Sequence, residues 1–203
     1  MPKCLAFHIA DLLLMTVGVF AQDRNSRLVL LVEFENRSFE PEPITEMQRE
    51  LESILRPAGV SPQWVMFSNL VGTYPNCRLI SVKFLGRCAF RPWDSPSKAA
   101  GWLGRTLSTD GELYPFIEVH CDRTLALIRP GISPVQVPPG AVLFGRALAR
   151  VLAHELYHLL ANTKSHGKSA ITSSKIGLDD LLYGHLVFEE QDLRRMFPAL
   201  RAP

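Results

Sequence analysis

The sequence predicts an α+β fold: a mixed sheet, one helix directly after the first strand, and one long helix late in the chain. Three observations carry this. Residues 28–34 (LVLLVEF) are an unbroken apolar, β-branched run of strand length. Residues 44–55 switch to helical spacing, with Ile44, Met47, Leu51, Ile54 and Leu55 on one face. Residues 141–162 form a long, Ala-rich apolar segment, the strongest helical pattern in the chain.

The elements follow in order. Residues 12–21 (LLLMTVGVFA) are apolar, follow Lys3, and end in a small residue before the polar run Gln22, Asp23, Arg24, Asn25. They are too short to span a bilayer and read as a signal peptide cut after Ala21, leaving 22–203 as a single domain without a membrane anchor. A buried N-terminal helix is the alternative. Residues 36–42 supply turn residues after the first strand, and Thr45 and the Arg56-Pro57-Ala58-Gly59 stop bracket the first helix. Residues 63–67, 79–85 and 116–121 read as strands, the last placing Phe116, Glu118 and His120 on one face. Residues 91–111, rich in Pro, Gly, Ser and Thr, read as loop with one helical turn at 98–103. Four prolines make 129–140 irregular, and after the long helix 163–174 is small and polar. Short helices are expected at 178–183 and 189–197.

Composition narrows the function. The chain has 203 residues, 22 Lys plus Arg against 20 Asp plus Glu, and 47% hydrophobic residues, an ordinary globular balance. A net charge of +2 gives no electrostatic reason for a nucleic-acid partner. Signal removal would leave Cys77, Cys88 and Cys121 in an oxidising compartment, enough for one disulfide. An extended strand between Cys77 and Cys88 holds those two beyond disulfide reach, so Cys121 is one partner. Cys88, just past the Gly86 turn, is favoured over Cys77 as the other; three buried reduced thiols are the remaining alternative.

The long helix contains His154-Glu155-Leu156-Tyr157-His158, an HExxH pattern. Residues four apart lie one helical turn from each other on the same face, so two imidazoles can converge on one zinc ion. Glu155 on the flank can then reach a metal-held water as general base. Such a pattern arises by accident about once in a hundred chains of this composition. An apolar stripe of Leu148, Leu152, Leu156, Leu159 and Leu160 faces the core, leaving His154 and His158 on an adjoining face with no need to be buried. A tetrahedral catalytic ion needs a third protein ligand, and His166 is nearest: a chain reversing at Asn162 leaves four residues, spanning about 13 Å, to return past the helix end. Asp179, His185 and Glu189 are the rivals.

HELYH on a late helix, preceded by a strand, a helix and several strands, resembles the zincin metallopeptidases, and the element order is similar to the metzincin-like branch. The resemblance covers residues 28–166 and rests on HELYH and His166. It implies a zinc-dependent endopeptidase with substrate extended along the sheet edge above the active-site helix, His154 and His158 as zinc ligands and Glu155 as the catalytic glutamate. Two departures stand out. The metzincin motif places Gly and a third His where this chain has Ala161 and Lys164, and no methionine follows to form the Met-turn, for which 169–171 is the candidate replacement.

Other residues read more plainly. His120 and His185 fit solvent-facing or hydrogen-bonded roles, Tyr157 and Tyr183 core packing, and Glu189 and Glu190 an exposed helix start, although a downstream carboxylate could also be a ligand. The expectation is a secreted or periplasmic zinc metalloprotease acting on a peptide or protein substrate, with a non-catalytic peptide-binding or structural zinc module as the alternative.

Overall fold

A computed structural model of the chain describes residues 26–36, 39–72, 74, 77–91, 101–133 and 138–201. The signal segment and its cleavage after Ala21 lie outside the described residues, as do residues 98–100 of the expected helical turn.

The fold is α+β, with a five-stranded mixed sheet in the order β2-β1-β3-β5-β4. β1 (Ser26–Phe34) is an inner strand, and residues 28–32 are buried on both faces, which is why the run shows no alternation. α1 (Pro41–Leu55) returns the chain so that β2 (Val60–Met66) lies parallel to β1 on one edge. α1 begins three residues before its expected start because Pro41 and Pro43 fall in the first turn, where no intrahelical N–H is needed. Gly59, at φ 70°, ends the turn that follows. Pro62 is tolerated inside β2 because that strand is an edge.

β3 (Cys77–Leu85) and β5 (Glu112–His120) continue the parallel part of the sheet. The stretch expected to be loop instead contributes β4 (Gly104–Thr109), antiparallel to β5 and forming the other edge. Residues 101–103 lead into this strand and are not helical. Asp110 and Gly111, at φ 51° and 90°, form the two-residue hairpin turn whose twist matches the flanking strands. Where the β4/β5 register shifts, β5 carries Pro115, which has no N–H to offer the ladder.

Cys121 begins α2 (Cys121–Ile128) and is joined to Cys88 by a disulfide with a Cα separation of 5.0 Å. Cys77 is the free thiol. α3 (Gly140–Leu160) packs against α1 and against β4 and β5. Most of α3 is buried, including Arg150, Glu155 and His158, so the burial extends beyond the leucine stripe to the adjoining face, where burial was not required. Small residues such as Ala147, Ala149 and Ala153 let neighbouring elements close over the faces beside the leucine stripe, and Arg150 is matched by Glu50 of α1 at 2.9 Å. α4 (Leu178–Leu182) and α5 (Glu190–Arg201) complete the chain. No helix among the described residues is long and apolar enough to cross a membrane.

Candidate metal centre

α3 sets His154 and His158 one turn apart, and their Nε2 atoms lie 3.2 Å from each other. Each Nδ1 is committed to a backbone carbonyl: His154 Nδ1 to Ile171 O and His158 Nδ1 to Thr163 O, both at 2.8 Å. A carbonyl only accepts, so each ring carries its proton on Nδ1 and turns an Nε2 lone pair inward. Two lone pairs this close repel unless a cation lies between them. Two nitrogens bound tetrahedrally at about 2.0–2.1 Å from zinc would stand about 3.3 Å apart, so this donor pair fits the ion.

His166 completes the group. Its ring stacks on His154 at 5.2 Å and stands edge-on to His158 at 5.0 Å between centroids, and the ligand atoms of the three histidines all lie within 4.8 Å of one another. The return is made by Asn162, at φ 44°, one of two non-glycine residues with positive φ among those described. Asn reaches this left-handed region at less cost than most residues, and the usual glycine is therefore dispensable here. Burial lowers the His154 pKa from 6.5 to about 4, against the raising effect of the Ile171 hydrogen bond, and burial also lowers that of His158. Both rings are thereby kept neutral, the form that binds metal.

Glu155 points from the same helix toward β4. Only 6% of it is exposed, and burial raises its pKa from 4.5 to about 7, opposed by hydrogen bonds from Thr106. The Thr106 hydroxyl lies 2.9 Å from Glu155 Oε2 and 3.1 Å from the Glu155 carbonyl oxygen. Gly104 makes this approach possible, since a Cβ there would stand 2.7 Å from Val151 Cγ1 and 2.9 Å from Glu155 Cγ. Beside His154 and Glu155 opens a cleft of about 310 Å³ whose walls include Leu103, Leu127, Val151 and Ile176.

Thr106 was hidden in a segment read as loop; the Asp110-Gly111 pair between two runs of strand length was the signal that could have exposed it. The 169–171 stretch forms a 3-10 turn with Thr172, and its Ile171 is fully buried and holds His154 through its carbonyl. The rivals for third ligand, Asp179, His185 and Glu189, are exposed and stand outside the histidine group. Glu190 is an exposed residue in the first turn of α5. His120 packs its ring on Trp102 at 4.5 Å. Tyr157 is fully buried, as core packing requires, whereas Tyr183 is corrected: it is 57% exposed, and its hydroxyl donates to Gly131 O at 2.9 Å. α4 is too short to carry Tyr183 inward behind Leu181 and Leu182, which are buried.

The sheet order β2-β1-β3-β5-β4, with α3 buried beside the edge strand β4, brings His154, His158 and His166 into one group whose ligand atoms could hold a metal ion. Among solved structures, the chain is similar to archaemetzincin from Methanopyrus kandleri, with a TM-score of 0.53 and 12% identity over 91% of this chain and all of that one. No protein-family model and no curated protein sequence matches the chain.

Proposed function

We propose that this protein is a zinc-dependent endopeptidase of the HExxH type, exported through its N-terminal segment and acting as the single domain 22–203 on peptide or protein substrates in a secreted or periplasmic setting. The observation that carries the reading is the pair of Nε2 lone pairs 3.2 Å apart, each fixed by an Nδ1 hydrogen bond, with a third histidine beside them. His154, His158 and His166 would hold the zinc. Bound there, the ion would supply Lewis acidity to a substrate carbonyl and to water.

The remaining chemistry belongs to the chain. Glu155, with its pKa raised to about 7, is matched to taking a proton from water near neutral pH and returning it to the leaving amine. Thr106 holds the carboxylate in one orientation. β4, the edge strand beside α3 among the described residues, offers backbone groups along which an extended peptide can pair. The nearby cleft can take a side chain next to the bond being cut.

The test is metal analysis of the purified protein together with cleavage of a quenched fluorescent peptide library, with and without chelator. Stoichiometric zinc, chelator-sensitive cleavage, and joint loss of zinc and cleavage in His166→Ala are expected. Zinc retained in full by His166→Ala but lost in Glu189→Ala or Asp179→Ala would move the third-ligand role to a carboxylate. Protein that carries no zinc and cuts no peptide would end the reading.

A further inference from the structure

We propose that Asp192 of α5 is the positioning residue of the three-histidine site, holding both His154 and His166 through the turn between them. The proposal rests on the zinc-site reading above and assigns that site its supporting anion.

Asp192 is 1% exposed. Its Oδ2 accepts the Ser169 hydroxyl at 2.9 Å and the Glu189 N–H at 3.2 Å. The Ser169 proton being spent on the carboxylate, the Thr172 hydroxyl at 2.7 Å is left to donate to Ser169 Oγ, so a directional chain runs from Thr172 through Ser169 to Asp192. This chain brackets the turn Ala170–Thr172. Two connections lead from that turn to the ligands. The Ile171 carbonyl accepts from His154 Nδ1 at 2.8 Å, and the Thr172 carbonyl accepts the N–H of Gly167, the residue after His166, at 2.9 Å.

Gly167 is pressed onto the same cluster. A Cβ there would meet Thr172 Oγ1 at 2.2 Å and Asp192 Oδ1 at 3.5 Å, so the His166 loop sits directly on the hydroxyl and carboxylate below it. One buried carboxylate therefore sets the turn against which two of the three ligands are placed.

The second carboxylate oxygen supplies an independent pointer. Asp192 Oδ1 is buried and has no hydrogen-bond partner among the described residues. A carboxylate oxygen left this way is unfavourable in a low-dielectric interior unless positive charge lies close by. Arg195, one turn along α5, acts on Asp192 electrostatically, yet its hydrogen bond goes to the Tyr157 hydroxyl at 3.3 Å. A divalent cation held by the three histidines would bring positive charge to the cluster that Gly167 presses onto Asp192, and Asp192 would then be both the brace of the site and a compensating charge behind it. Groups of this kind behind metal ligands typically change metal affinity 10- to 100-fold when removed.

The test uses full-length, chelator-stripped protein. Zinc affinity is measured by competition with a chromophoric chelator, and Co²⁺ absorption reports ligand geometry. The unfolding midpoint without metal is recorded for each variant. Asp192→Asn is expected to weaken zinc at least tenfold and to reduce the tetrahedral Co²⁺ bands. Ser169→Ala, which cuts the link and leaves the carboxylate, is expected to weaken zinc in the same direction by less. Leu51→Ala, a core truncation in α1, serves as the control: it should lower the midpoint and leave affinity within about twofold of the unaltered protein. Affinity within twofold in Asp192→Asn would overturn the proposal, as would the same result in Ser169→Ala should the first variant not fold, or an equal loss in Leu51→Ala. Failure of the unaltered protein to bind zinc at all would instead overturn the metal-site reading itself.

Discussion

Thr163 holds His158 at both ends: its N–H donates to the His158 carbonyl at 2.9 Å, and its own carbonyl accepts from His158 Nδ1 at 2.8 Å. The same residue thus closes the end of α3 and orients a candidate ligand. That double contact depends on the residue between, Asn162, standing at φ 44°.

Asn162→Ala should therefore cost on the order of 1 kcal/mol in left-handed backbone strain and weaken zinc binding, whereas Asn162→Gly should leave both nearly unchanged. Urea midpoints and chelator competition on the two variants check this. Equal behaviour of Ala and Gly would mean that the reversal does not control the ligand.

Thr106→Val keeps the shape of the side chain and removes the hydroxyl that opposes the rise in the Glu155 pKa. The carboxyl should then titrate at higher pH, because its charged form has lost a donor. The acid limb of the pH–kcat/KM profile is expected to move upward, with activity at neutral pH falling about tenfold. An unmoved limb would deny Thr106 its part.

Glu155→Gln separates two opposing linkages in the metal-free protein. The folded-state pKa of Glu155 is raised to about 7 from 4.5, so its contribution is full below about pH 4.5 and is lost as pH rises through 7. That of His154 is lowered to about 4 from 6.5, so its contribution is full above about pH 6.5 and is lost as pH falls through 4. Between these limits the two oppose each other. Removing the Glu155 part should make acidification from pH 7 to pH 5 more damaging in the variant than in the unaltered protein, by about 2 kcal/mol. Chelator-treated samples unfolded in urea at both pH values provide the comparison. Parallel losses would show that Glu155 is not titrating in this range.

A peptide map without reductant should join the Cys88 and Cys121 peptides and leave Cys77 open to alkylation. Replacing Cys88 and Cys121 by Ser should cost about 2–4 kcal/mol, since the bridge closes a sequence separation of 33 residues.

What the sequence made legible was periodic or local. β1, α1 and α3 each bury a long patterned run, and burial of apolar surface is what the pattern records. The nearness of His154 to His158 follows from helix pitch alone, and the approach of His166 to them from chain reach. β4 was illegible because GRTLST has a single large apolar residue, and its strand state comes from pairing with β5 and packing on α3. α2 is only eight residues long, too few to show a period. The supports of the site escaped for a different reason: Thr106 and Asp192 reach their partners Glu155 and Ser169 across 49 and 23 residues of chain, distances at which spacing carries no information.

The same difference in chain separation orders assembly in time. The three histidines and the turn behind them span only residues 154–172, whereas Thr106 meets Glu155 across 49 residues and needs the β4–β5 hairpin docked. Short loops close faster and at less entropic cost than long ones. In refolding with Co²⁺ present in place of zinc, ion capture should precede the docking of the hairpin on α3. A bound ion would then be a nucleus that the edge strand completes, and a stopped-flow record should show Co²⁺ absorbance developing before Trp102 fluorescence reaches its native value.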